Sequence, residues 1–130
     1  MECRTVSGRP KGFTLVELLV VMTIIATLLM IAVPRYHRSL EQAREVTLRQ
    51  DLNVMRDAID KFMADRGTYP QSLEDLVEGH YLRSIPVDPY TKSAGSWTTV
   101  QSEDEELTGV RDVHSGAEGA TRDGTALNEI

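Results

Sequence analysis

Cysteine, tryptophan and phenylalanine are scarce in this chain: Cys3 is its one cysteine, Trp97 its one tryptophan, and Phe13 and Phe62 its two phenylalanines. A single thiol excludes an internal disulfide framework and a cysteine-based metal site. Cys3 sits in a basic leader without the apolar stretch that precedes a lipid-modified cysteine, and it reads as incidental. His37, His80 and His114 are far apart, with no His-x-x-x-His spacing, and no Gly-x-Ser-x-Gly elbow is present, so no catalytic constellation emerges. Glu74-Asp75 and Glu103-Asp104-Glu105-Glu106 read as solvated acids of a helix turn and a loop. Clustered basic residues are also missing. The formal charge is −6, and because Arg4, Arg9 and Lys11 outweigh Glu2 in the first twelve residues, the remainder is more acidic still. Such a body argues against nucleic acid as a main partner, since phosphate binding needs grouped Lys and Arg. No internal repeat or long linker divides the chain, and 130 residues allow one soluble domain with a small core.

What the chain does have is one long apolar run. Phe13 to Val33 spans twenty-one residues, and Glu17 is the only charged one among them. At about 1.5 Å per residue a helix of that length is roughly 30 Å long, the thickness of a bilayer's hydrocarbon core. A carboxylate inside it costs on the order of 3 kcal/mol on insertion scales, so it calls for a partner. Basic residues before the run keep that end cytoplasmic. A secretory signal has an apolar region of roughly 7–15 residues and then a small-residue cleavage site, whereas this run is longer and is followed by Pro34 and a charged helical pattern. A plain signal anchor accounts for insertion and orientation but leaves Glu17 unexplained. A carboxylate that merely snorkels to the interface is the bland alternative.

Residues 35 to 66 continue the helix in amphipathic form. Leu48, Leu52, Met55, Ile59 and Phe62 recur at intervals of four and three, with Arg49, Gln50, Asp57, Asp60, Lys61 and Asp65 mostly on other faces. Pro34 lacks an N–H and crowds the preceding turn, so it is expected to kink or loosen the helix between the two halves. Gly67 suits a C-cap, and Thr68-Tyr69-Pro70 turns the chain. Ser72, as N-cap, opens a short helix that Gly79 closes, with Leu73, Leu76 and Val77 as its apolar face. Ile85-Pro86-Val87-Asp88-Pro89 reads as extended chain and turn. Ser96 to Gln101 and Gly109 to His114 are the strand candidates. The expected fold class is α+β: a long N-terminal helix packed on a short helix and a small antiparallel sheet of two or three strands.

Lys11-Gly12-Phe13-Thr14-Leu15-Val16-Glu17, with the apolar run and Pro34 behind it, resembles the class III signal of type IV pilins and type II secretion pseudopilins. The resemblance implies that a prepilin peptidase cuts after Gly12 and methylates the new terminus at Phe13, leaving the run in place. It also implies that Glu17 pairs with the terminal amine of a neighbouring subunit and so sets the assembly register, while the helix near Pro34 melts partly in assembled filaments. Gly67-Thr68-Tyr69-Pro70, Leu73, Leu76, Tyr81-Leu82 and Ile85-Pro86-Val87-Asp88-Pro89-Tyr90 are similar to the pseudopilin G family, as is Asp112-Val113-His114-Ser115-Gly116-Ala117-Glu118-Gly119. Thr91-Lys92-Ser93 stands where that family has Gly-Asn-Pro, and no tryptophan closes the sequence.

This resemblance implies a cleaved leader (1–12), a transmembrane and polymerisation segment (13–34) and a periplasmic pilin-like domain (35–130), anchored by a single pass in the bacterial inner membrane. The implied role is structural, not enzymatic: a homo-oligomeric helical filament, the pseudopilus, that drives export of folded proteins. Its implied partners are other pseudopilins, the prepilin peptidase, a cytoplasmic ATPase, the inner-membrane assembly platform and the lipid bilayer. A type IV pilin for adhesion, motility or DNA uptake is the first alternative, disfavoured by the lack of a C-terminal cysteine pair. A monomeric signal-anchored periplasmic binding domain is the second. The pseudopilin G resemblance further implies one Ca2+ in the C-terminal loop, with Glu118 and Asp123 at its acidic positions and Ser115 nearby. The alternative there is a solvated glycine-rich tail.

Overall fold

The computed structural model describes Cys3, Gly8 and residues 10–130, so most of the expected leader, Glu2, Arg4 and Arg9 included, lies outside the described residues. The chain divides into two compact units, Met1–Arg38 and Ser39–Ile130. Its principal element is α1, Leu15–Arg66, which is helical through Pro34 without a break.

In the first unit α1 exposes its apolar side chains all round. Leu15, Val16, Leu19, Met22, Leu28 and Met30 are all largely exposed, and no described residue of the unit is buried. Thr23 and Thr27 interrupt the hydrocarbon, but each hydroxyl donates back into its own helix, to the carbonyls of Leu19 and Thr23 at 2.8 Å. Neither therefore needs water, which is the condition for a hydroxyl inside a bilayer.

The second unit is built on the amphipathic stretch of α1. Leu48, Leu52, Met55, Ala58, Ile59 and Phe62 are buried, five of them being the stripe that helical spacing picks out. They join Leu73, Leu76, Leu82, Trp97, Val110, Val113, Ala117 and Leu127 in one core. Burying a side chain such as Leu or Ile is worth about 1.5–3 kcal/mol, so this stripe dominates the unit's stability. Gly67 ends α1 at φ +71°, the left-handed conformation of a helix C-cap. Arg66 lies over the Phe62 ring at 4.8 Å, and Tyr81 packs on the same ring at 5.3 Å while its hydroxyl donates to Asp65.

The short helix α2, Leu73–Glu78, lies where the sequence predicts it. Its N-terminus is held by Asp75, whose carboxylate accepts from the Gln71 and Ser72 N–H groups at 2.8 and 3.3 Å. The strands β1, Thr98–Gln101, and β2, Val110–His114, form a two-stranded antiparallel sheet. Both begin later than the sequence alone suggests. Ser96 and Trp97 are taken by side-chain bonds, the Ser96 hydroxyl to Thr91 and the Trp97 indole to the Pro86 carbonyl at 2.8 Å. Gly109 is not strand but a turn at φ +130°. A register irregularity between Val100 and Gln101 interrupts the alternation, and Val110 and Val113 both reach the core. A 3-10 turn, Leu127–Glu129, follows and buries Leu127.

Gly109 occupies both a conformation and a space that other residues resist. A Cβ there would stand 2.7 Å from the Pro70 carbonyl oxygen and 2.8 Å from Tyr69. The neighbouring Val110 N–H donates to that same carbonyl at 2.7 Å, so the two segments cannot part without losing the bond. Gly109→Ala is therefore expected to destabilise the chain by about 2 kcal/mol or more, combining left-handed strain with a backbone clash. Thermal unfolding of the detergent-solubilised protein checks this, and an unchanged midpoint would contradict the packing at this turn.

Candidate functional site

The N-terminal turn of α1 brings the sequence's leading candidates together. Thr14 caps it: its Oγ1 accepts from the Glu17 N–H at 3.1 Å and its carbonyl from the Leu18 N–H at 3.2 Å. The Thr-x-x-Glu spacing of a capping box carries this signal in the sequence, and the cap is a role for Thr14 that the motif reading did not assign. Glu17 thus lies in the first turn, where the helix's positive end favours a carboxylate. The Glu17 side chain is exposed, and among the described residues no cation lies within ion-pair distance of it. Phe13 is 87% exposed, and a Cβ on Gly12 would meet nothing within 4 Å. Among the described residues, packing therefore does not demand glycine at position 12.

The C-terminal candidates separate. Ser115 is fully buried, donating its hydroxyl to Asp88 Oδ2 and accepting the Ala117 N–H at 3.1 Å. Glu118 and Asp123 are exposed. Among the described residues no three His, Cys, Asp or Glu side chains gather as metal ligands. The histidines belong to different elements: His37 in α1 beside Tyr36, His80 at φ 64° after α2, and His114 at the end of β2.

Two polar groups, one buried and one half-buried, escape motif reading. Asp88, fully buried, accepts from the Tyr90 N–H at 2.8 Å and the Thr91 N–H at 3.4 Å as well as from Ser115. The Asp-Pro-Tyr-Thr order signals such an Asx turn, but not its burial. Arg56 of α1 donates through Nε to Asp112 at 2.7 Å, and through a second nitrogen to the carbonyls of Val113 at 2.9 Å and Ile130 at 2.7 Å. Burial alone would push the Asp112 carboxyl up. The Val113 N–H and the Arg56 guanidinium, helped by His114, outweigh this and hold it below its ordinary value. Asp51 goes the other way: burial and then the Asp88 charge push its carboxyl up.

Comparison with known proteins bears on the N-terminal turn. Residues 8–33 match the prokaryotic N-terminal methylation motif. The chain is similar to proteins named type II secretion system core protein G. It is 33% identical to that of Klebsiella pneumoniae over an alignment of 98 residues, with 63% of this chain and 70% of that protein covered. The Pseudomonas aeruginosa protein is 32% identical over 96 residues (62% and 68%), and the Escherichia coli protein 31% over 100 residues (65% and 69%). No solved structure matches the chain.

The Asp51 environment gives a test with a definite sign. Its folded-state pKa is raised above 3.8, so ionisation opposes folding; the penalty is absent below that value and fully present at neutral pH. Asp51→Asn should raise the melting temperature at pH 7 by a small margin, worth less than about 1 kcal/mol at this partly exposed site. The gain should vanish near pH 3, where wild-type Asp51 is protonated, and a gain equal at both pH values would show that charge is not its cause.

Proposed function

Because this chain belongs to the type II secretion system core protein G family, we propose that it is a membrane-anchored structural subunit that polymerises into a periplasmic pseudopilus driving the export of folded proteins. The observation that carries this reading is the first turn of α1, where one exposed carboxylate, Glu17, stands at the head of an apolar helix that its own unit leaves uncovered. A helix apolar on every side is covered by lipid or by other helices, and a lone carboxylate on it needs a cation from one of them.

In this reading a prepilin peptidase cuts after Gly12 and methylates Phe13. Cleavage creates an ammonium at Phe13, one turn from Glu17. In the membrane the subunit's own terminus and helix dipole ease the carboxylate. In the filament, the amine of a neighbouring copy takes that place, so a correct stagger is rewarded and a wrong one leaves a charge unpaired at low dielectric. Residues 35–130 form the periplasmic body, and the missing Pro34 N–H leaves one hydrogen bond fewer to hold that part of α1 during assembly. The chain acts as a building block, not a catalyst. Other pseudopilins, the inner-membrane platform and the bilayer are its partners.

Two measurements test this. Intact-mass analysis of protein extracted from cells containing the peptidase should show loss of residues 1 to 12 and a gain of one methyl group; an uncut precursor would instead favour the plain signal anchor. Glu17→Ala should insert and be processed normally yet fail to enter cross-linkable filaments, with secretion reduced at least tenfold. Normal secretion by that variant would reject the register role.

A further inference from the structure

The segment that follows β2 closes on itself. Gly119, Thr121 and Thr125 supply carbonyl oxygens that accept from the N–H groups of Leu127, Gly124 and Thr121 at 3.0, 3.0 and 2.8 Å, and Ala120 and Ala126 pair across the loop. The Thr121 hydroxyl adds a bond from the Thr125 N–H at 3.2 Å. A calcium ion takes six to eight oxygens from carboxylates, carbonyls and water, and carboxylates supply the charge that holds it. Here three loop carbonyls each give a lone pair to an amide, the Ser115 hydroxyl is bound to Asp88, and among the described residues no three acidic or histidine side chains gather, Glu118 and Asp123 being exposed. The donor set does not fit the ion that the family resemblance implies.

Other groups hold the two ends of the segment. At its start, Ser115 ties the chain to buried Asp88, and Gly116 passes so close to Ser96 that a Cβ would clash with the Ser96 carbonyl oxygen. At its end, Arg56 reaches from α1 to the Ile130 carbonyl while the same guanidinium grips Asp112 and the Val113 carbonyl of β2. Between them Ala117 and Leu127 are buried in the core. One rigid cationic fork with several donors thereby fixes a helix, a strand and the C-terminal turn together. We propose that residues 115–130 are held by the Arg56 clasp and the Asp88–Ser115 bond, and that this chain folds its C-terminal segment without calcium.

The proposal concerns folding within one subunit and stands apart from assembly. The full chain in detergent should give superimposable thermal unfolding curves in millimolar calcium chloride and in chelator. An upward shift with calcium that Glu118→Gln or Asp123→Asn abolishes would overturn it. Arg56→Lys keeps the charge but loses the fork. It should lower amide protection at Leu127 and Glu129 at least tenfold in native-state hydrogen exchange, with calcium restoring none of it, while leaving protection in the Met55–Phe62 stretch of α1 within about twofold. Unchanged protection at Leu127 in Arg56→Lys, or its recovery on adding calcium, would equally reject the clasp.

Discussion

Leu48, Leu52, Met55, Ile59 and Phe62 form the surface on which the second unit depends, and the brevity of everything after α1 shows why. The second helix has six residues, the strands four and five, and the last turn three. An isolated helix below about 12 residues, or a lone two-stranded hairpin, is marginal in water. None of these elements has enough partners of its own. All but β1 contribute one or two apolar side chains to the core that the α1 stripe anchors: Leu73 and Leu76 from α2, Val110 and Val113 from β2, Leu127 from the final turn.

This dependence also explains what the sequence could and could not tell. A stripe at intervals of four and three is a local signal, as are Gly67 after the helix and Ser72-Leu73-Glu74-Asp75 before α2, so the α+β class and the helix boundaries were legible. The strand starts were legible only to within one or two residues. What displaced them, the Trp97 bond to Pro86 and the Gly109 approach to Pro70, links residues 11 to 39 positions apart. Arg56 is the clearer case. In sequence it is one more basic residue beside the stripe, and its partners Asp112, Val113 and Ile130 lie 56 to 74 residues downstream. Nothing local distinguishes it from Arg49, which makes an ordinary surface pair with Glu45 one turn away.

At the C-terminus the same logic gives the glycines a reading of their own. Ser115-Gly116-Ala117-Glu118-Gly119 invites a metal because an acid stands there among glycines. Yet glycine serves other needs as well. Gly116 is required by the passage against Ser96, and Gly119, at φ +117°, presents its carbonyl to Leu127. Both glycines are accounted for by packing and backbone hydrogen bonds, so their presence does not count toward a cation.

The N-terminal turn of α1 is where local rules and the proposed assembly meet. Thr14 and Glu17 satisfy a helix start whether or not other subunits exist, so the turn does not depend on the proposed processing. Among the described residues Glu17 has no cation, and its specificity in the proposed assembly rests on a partner from another copy. A helix can slide against its neighbour by one turn, about 5.4 Å, and still bury much the same apolar surface. Hydrocarbon packing alone therefore discriminates poorly between staggers. A charge pair does not share that tolerance: a pair moved from about 4 Å to about 9 Å apart loses more than half of its Coulomb energy, and each ion still bears its desolvation cost. In the proposed filament a single carboxylate on an otherwise uniform apolar rod thus converts a surface with many near-equivalent registers into one with a single preferred register.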